Sequence, residues 1–359
     1  MNTLKLTKDI TMTKKDLLDV AFVVLFLGLS LIYFMFSRDI FPSYFFNDNT
    51  TIRNYMNNIS INSDKNYVST AKFFLMFRFN ANTSFGTEAF FAWTIFAILM
   101  LVLILKFKID FLKIRNLSLL LLFTLFYGAY SAQFSKELVI FIMLDVVLLM
   151  SPLKFLNKTF AAFVILYGVY FRTYWLLIYL CSLIFFYIFN SSKLNKLFKL
   201  LLYFVTVVGM EVGYNLVTGG FLSDARYTVN SFRLEDLYTN TIINNPLINH
   251  SIITDFLNFL YGLINVFIPI DGIHSANEIV YYIWIWIIVI LCWKYLKNNR
   301  ENKDYKLYFV LAMITIQAFF EPDVGSMLRH QIILIPILLL MLNENNLSPE
   351  EKKDGIIYE

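Results

Sequence analysis

The chain alternates long apolar runs with short charged ones, and the runs have the length of helices that cross a bilayer. A span needs about 20 apolar residues, each rising about 1.5 Å. Runs of this kind cover 17–36, 89–105, 117–133, 137–153, 200–217, 279–296, 307–320 and 331–343. One further run, 159–189, is too long. As a single helix it would measure about 46 Å, against a hydrocarbon core of about 30 Å. Dividing it at FRTY gives one span ending near Arg172 and another over 174–189. The pattern predicts an all-α fold: a polytopic integral membrane helical bundle of about 10 transmembrane helices.

The positions of Lys and Arg orient these spans. Lys5, Lys8, Lys14 and Lys15 precede the first run. Lys106, Lys108, Lys113 and Arg115 follow the second, Lys154 and Lys158 the fourth, and KYLKNNRENKDYK the eighth. Cytoplasmic loops carry such an excess. The first run is followed by no small-residue cleavage site, so it reads as a start-transfer anchor that is retained. Both termini are then cytoplasmic, and two long loops, 37–88 and 218–278, lie outside. The second loop contains DFLNFLYGLINVFIPI. A full crossing there would invert every later span against the positive-inside rule, so this piece reads as a re-entrant or interfacial helix near 256–270. The tail 344–359 is polar and cytoplasmic. No soluble domain and no internal repeat is visible, and 1–359 reads as one membrane domain.

Composition agrees. The chain is 58% hydrophobic and 16% charged, whereas soluble domains are about half apolar and a quarter charged. A net charge of +4 is too small to suggest nucleic acid. Cys181 and Cys292 both fall in apolar runs and read as lipid-facing or packed thiols, with no disulfide or metal spacing. His250, His274 and His330 form no pair with metal-ligand spacing. There is no phosphate-binding loop, nucleophile elbow, zinc-helix motif or dinucleotide fingerprint. Nor is there an acidic pair of the DxD type that holds a metal for nucleotide-sugar transfer. A reaction run by this chain is therefore expected to use no metal, no cofactor and no nucleotide donor.

The ionisable residues carry the remaining information. At membrane depth each costs several kcal/mol unless it is paired or hydrated. On the expected topology Arg78, Lys136, Glu137, Arg172, Glu321, Asp323, Arg329 and His330 collect on the outer face. The outer loops add Asp48, Arg53, Arg226 and Arg233. Cations from several spans converge on one side, as a site for an anionic ligand would need. The fork of an arginine suits phosphate oxygens and keeps its charge. A plainer reading stands beside each. Lys136 and Glu137 could only snorkel to headgroups, Arg172 could belong to an aromatic belt, Arg329 and His330 could anchor a helix end, and Arg226 and Arg233 could be solvated loop charges. Asp145 and Glu211 lie inside spans and are expected to pair with a buried cation or a neighbouring helix.

Three stretches carry a resemblance: YSAQFSKELVIF (130–141), YGVYFRTYWLL (167–177) and EPDVGSMLRH (321–330). With two long outer loops and scattered outer-face arginines, the chain resembles the Wzy-type O-antigen and capsule polymerases and the EpsG-like polymerases. The resemblance implies a bacterial inner-membrane glycosyltransferase. Such an enzyme moves a growing glycan from undecaprenyl pyrophosphate onto a lipid-linked repeat unit at the periplasmic face, beside a chain-length regulator protein. It implies that Arg172 and Arg329 hold the pyrophosphate, with Lys136 and Arg226 as weaker partners. Glu321, Asp323 and His330 become the base or sugar-binding residues, and Tyr227 and Tyr238 stack on sugars. An O-antigen ligase or another lipid-sugar-dependent transferase would use the same donor. A polysaccharide flippase or transporter would usually show repeats and midplane polar residues. A scaffold without chemistry would leave the interruption at Arg172 unexplained.

Overall fold

The computed structural model describes residues 14–57, 64–151, 156–233, 241–270, 272–298 and 304–343. These are 79% helical, with no strand among them. The first half runs α1 (Lys14–Met35), α2 (Ser37–Ile40), α3 (Asn47–Met56), α4 (Lys65–Met76), α5 (Phe85–Leu105), α6 (Ile114–Tyr130), α7 (Lys136–Met150) and α8 (Leu156–Tyr170). The second half runs α9 (Tyr174–Asn190), α10 (Lys196–Thr218), α11 (Asp224–Arg233), α12 (Ile252–Phe267), α13 (Ala276–Asn298), α14 (Tyr305–Phe320), α15 (Val324–Gln331) and α16 (Leu334–Asn343).

Local chemistry explains where these helices begin and end. Ser84, Ser135, Asn195, Asp304 and Asp323 cap α5, α7, α10, α14 and α15, each side chain accepting from a backbone N–H of the first turn. Ser251 and Thr254 make a reciprocal capping box on α12. Gly219 closes α10 with φ of 71°, a left-handed value that glycine adopts without strain. The run 159–189 breaks at residues 171–173, where Phe171 and Arg172 both donate to Tyr167 O and Trp175 donates back to Arg172 O.

Among the described residues four helical segments can cross a membrane by length and composition: Leu17–Met35, Phe85–Leu105, Lys196–Thr218 and Ala276–Lys297. A fifth is the pair α15 and α16, bent by 46°. The apolar pattern counted about 10 spans, and the difference lies in helix length. The expected spans α6, α7, α8, α9 and α14 have only 15 to 17 residues, or roughly 22–26 Å. Long faces of α1 and α13 remain exposed although apolar, including Leu17, Leu25, Leu29, Ile283, Ile290 and Trp293. Faces of this kind belong against lipid, not water.

Buried helices form the centre. α14 and α16 are enclosed along nearly their whole length. α14 packs on α9 and α12, α8 on α9, and α7 on α5 and α8. The two expected outer loops are folded. The first contains α2, a 3-10 turn at Ser43–Phe46, α3 and α4; the second contains α11 and α12. In α3, Arg53 pairs with buried Glu88 of α5 and donates to Ala81 O and Thr83 O. Glu88 also accepts from Asn49 and from the Phe134 N–H. α12 buries Asp255, Asn258, Gly262 and Asn265 and packs on α10, α13 and α14. Asp145 and Glu211 are also buried, but neither carboxyl has a hydrogen-bond partner among the described residues, so the expected pairing is not present.

Gly262 sets the approach of α12 to α14. A Cβ there would lie 2.1 Å from Ala318 O and 2.6 Å from Arg226 Nη2. Gly262→Ala is predicted to destabilise the protein by about 1–3 kcal/mol, read as a lower melting temperature in detergent. Unchanged melting would contradict this packing.

Candidate functional site

Three helix junctions converge: α6 to α7, α8 to α9 and α14 to α15. Ser135 caps α7, its Oγ accepting from Leu138 N at 3.0 Å, so Lys136 and Glu137 lie in the first turn. A carboxylate is favoured at that end of a helix. Arg172 lies in the short turn between α8 and α9 and is 7% exposed. Glu321 follows α14, and Asp323 caps α15 by accepting from Ser326 N at 2.7 Å. Arg329 and His330 fall in the last turn of α15, where cations are favoured. The segment between α14 and α15 is pinned to the second loop. Ile243 N donates to Pro322 O at 2.8 Å and Val324 N to Thr241 O at 3.3 Å, around an isolated bridge between Ile242 and Asp323.

Arg172 is the centre of the cluster. Its Nη2 donates to Glu137 Oε1 at 2.5 Å and its Nη1 to Tyr174 Oη at 3.0 Å. The same Nη1 contacts His330 Nε2. His330 Nδ1 lies 2.5 Å from Glu321 Oε1, and Glu321 Oε2 accepts from Ser326 Oγ at 2.6 Å. A guanidinium can only donate, so Nε2 must accept. The proton of His330 is then on Nδ1, donated to Glu321, and the ring is neutral. Arg329 Nη1 pairs with Asp48 Oδ2 at 3.0 Å, and its Nε stands 3.4 Å from Glu137 Oε1. One carboxylate oxygen of Glu137 therefore faces both arginines.

The first loop closes the cluster. Tyr67 of α4 donates to Asp48 Oδ1 at 2.6 Å. Its ring lies under Lys136 Nζ, 3.3 Å from the centroid, a cation–π contact. Burial raises the Asp48 carboxyl, but the charges of Arg329 and Lys136 and the Tyr67 hydroxyl outweigh it. They hold the group well below the usual carboxylate range. Arg172, Arg329 and Lys136 are thus matched by Asp48, Glu137 and Glu321. Hydrogen-bonding capacity remains unused: Arg172 Nε, Arg329 Nε and Glu137 Oε2 are buried without a hydrogen-bond partner among the described residues. The cavity between these groups is about 10 Å³, bordered by Tyr167, Tyr174 and Trp175. That is room for about one water.

Of the residues singled out from the sequence, Arg172, Arg329, His330, Glu321 and Lys136 meet here. Asp323 is engaged as the cap of α15. Arg226 is not among them. It is fully buried, donating to Ala318 O at 2.5 Å, Glu321 O at 3.0 Å and Asn245 Oδ1 at 3.1 Å. It clamps the buried carbonyls at the end of α14, where a helix leaves acceptors unmet. Burial pushes its pKa down to about 10, against the opposing charge of Glu321, so it stays charged at neutral pH. Tyr227 is 69% exposed on α11, and Tyr238 lies outside the described residues. Glu137 and Asp48, counted among the outer-face charges but given no role at the site, join them, and the structure adds Tyr67, Tyr174 and Ser326. Glu137 was legible as an acid in a Ser-capped first turn. Asp48 reaches Arg329 across 281 positions, which no local pattern reveals. Among the described residues no group of three or more His, Cys, Asp or Glu could hold a metal ion.

Comparison with protein-family models, with curated proteins and with solved structures returns no match.

The depressed Asp48 carboxyl gives a signed pH prediction. A lowered folded-state pKa contributes stability that is fully present above the unfolded value of about 4 and is lost as pH falls below it. Melting curves should therefore show wild type losing stability from about pH 4 downward, with a shallower acid limb in Asp48→Asn. Identical acid limbs would contradict the ion pair with Arg329.

Proposed function

We propose that the chain is a membrane glycosyltransferase that polymerises a surface polysaccharide, O-antigen or a related glycan, from units carried on a lipid pyrophosphate. One observation carries the reading. Arg172 and Arg329 both face a single carboxylate oxygen of Glu137, at 2.5 and 3.4 Å. An oxygen between two guanidinium groups occupies the position that a phosphate oxygen takes in an arginine clamp. A buried base system, Glu321 with His330, stands against the same arginine. The surrounding helices are apolar enough for the donor's lipid to lie beside them.

The chemistry follows from these groups. The bond from the sugar to the lipid pyrophosphate breaks, and negative charge develops on the leaving group. Arg172 and Arg329 stabilise that charge with fixed donors inside a site of low polarity. His330, oriented by Glu321 through Nδ1, takes the proton of the acceptor hydroxyl on Nε2. Energy resides in the donor, so no nucleotide is required. In this reading α6, α7, α8, α9 and α14 complete a bundle of about 10 spans with α12 re-entrant or interfacial, both termini are cytoplasmic, and the cluster lies on the periplasmic side of a bacterial inner membrane. A chain-length regulator is the expected protein partner.

Removing one fixed donor to a developing anion typically lowers the rate about a hundred- to a thousand-fold. Arg172→Ala and Arg329→Ala should each abolish glycan ladders while the protein still inserts in the membrane; full-length ladders from both would remove the phosphate clamp. Deletion of the gene should leave core carrying one repeat unit on a glycan gel. Core with no unit at all would contradict a polymerase and point to a ligase.

A further inference from the structure

The site as it stands has no room for a phosphate, and its geometry says why. The cavity of about 10 Å³ holds about one water, and a phosphate group needs several times that space. A phosphate cannot be added to the cluster; it must replace something. Glu137 is the group in its way. Its Oε1 lies 2.5 Å from Arg172 Nη2, 3.4 Å from Arg329 Nε and 3.6 Å from His330 Nε2. The pair Arg172–Glu137 also sets where Arg172 points, because Nη2 is held by Glu137 while Nη1 covers His330 Nε2. The nitrogen that the reaction needs as a base is therefore occupied in the resting site.

We propose that Glu137 is an internal counter-ion that keeps the base masked. Its carboxylate holds Arg172 on His330 Nε2, and a phosphate or diphosphate anion that captures Arg172 and Arg329 displaces it and frees that nitrogen. The inference rests on the clamp described above and adds an order of events: the donor's anion binds first, and only then can His330 accept a proton. A diphosphate carries more charge than a carboxylate and offers oxygens to both guanidinium forks, so it wins the exchange. Arg172 Nε, which has no hydrogen-bond partner among the described residues, and Arg329 Nε, which Glu137 Oε1 approaches only to 3.4 Å, give it donors. The proton balance is simple. The acceptor hydroxyl gives its proton to Nε2 and its oxygen forms the new bond to the donor sugar's anomeric carbon. The bond from that carbon to the pyrophosphate breaks and the leaving pyrophosphate takes its electron pair, while the Nδ1 proton stays on the His330 ring, donated to Glu321. Glu137 touches neither sugar nor hydroxyl, so it is a positioning residue. Keeping the base covered until the donor arrives would protect the site from abstracting protons without a partner.

The test uses diethyl pyrocarbonate, which modifies neutral, uncovered imidazole nitrogens. The chain has three histidines, and His250 and His274 are exposed, so they serve as internal references. The full-length protein in detergent is treated with and without inorganic pyrophosphate, and each histidine is followed by peptide mass spectrometry. Pyrophosphate binding is measured separately by calorimetry. Wild-type His330 should react slowly, and saturating pyrophosphate should raise its rate about tenfold or more, as for a mostly masked state that is unmasked, with His250 and His274 unchanged. Arg172→Gln should give the fast rate without pyrophosphate, and Glu137→Gln should bind pyrophosphate more tightly. Arg172→Lys, checked by circular dichroism, serves if the glutamine variant does not fold. Pyrophosphate that binds without changing His330 reactivity overturns the gate and leaves the clamp standing. Failure of pyrophosphate to bind overturns both. His330 that is already fast in the resting protein overturns the gate alone.

Discussion

Arg172 is a guanidinium enclosed at a junction of apolar helices, and it cannot stay there without a counter-charge. A buried charge left alone costs several kcal/mol, and a buried pair is stable only when its remaining hydrogen-bonding groups are also met. Glu137 meets that demand directly, and His330 and Tyr174 take the other terminal nitrogen. Everything at this end of the bundle follows. α7 must begin at a serine cap so that Glu137 faces Arg172. The apolar run 159–189 must break so that Arg172 is in the turn. α14 must stop before Glu321 so that a second carboxylate reaches His330.

The surrounding loops hold this arrangement in place. Arg226 gathers the last carbonyls of α14 and fixes the backbone of Glu321. The short bridge around Ile242 and Asp323 holds the connection to α15. On the other side Arg53 and Asn49 fasten α3 to Glu88, which brings Asp48 to Arg329. Charges that are solvated in most loops are here buried and bonded. The loops act as walls of the site, and three cations stand there against three carboxylates.

Much of this was legible along the chain, for a physical reason in each case. Apolar runs of helical length identify the helices, because a membrane segment must satisfy its backbone internally. An arginine interrupting YGVYFRTYWLL marks a break, because a charge cannot continue through the core. EPDVGSMLRH gathers acid, base and cation within ten residues, so Glu321 and His330 meet by local geometry alone. The span count was less legible. Hydropathy does not say where a helix ends, and among the described residues five apolar helices are shorter than a full crossing. The role of Arg226 was hidden because a polar loop gives no sign that it will fold inward. Asp48 and Tyr67 were hidden because their partners are far away in sequence.

The central claim is that Arg172 and Arg329 share one anion and that Glu137 stands in its place when the site is empty. A cryo-electron microscopy structure of the protein in lipid nanodiscs with a lipid pyrophosphate tests it most directly. The account predicts a phosphate within hydrogen-bonding distance of both arginines, with the Arg172–Glu137 pair broken and His330 Nε2 uncovered. A phosphate bound elsewhere, with that pair intact, would contradict it.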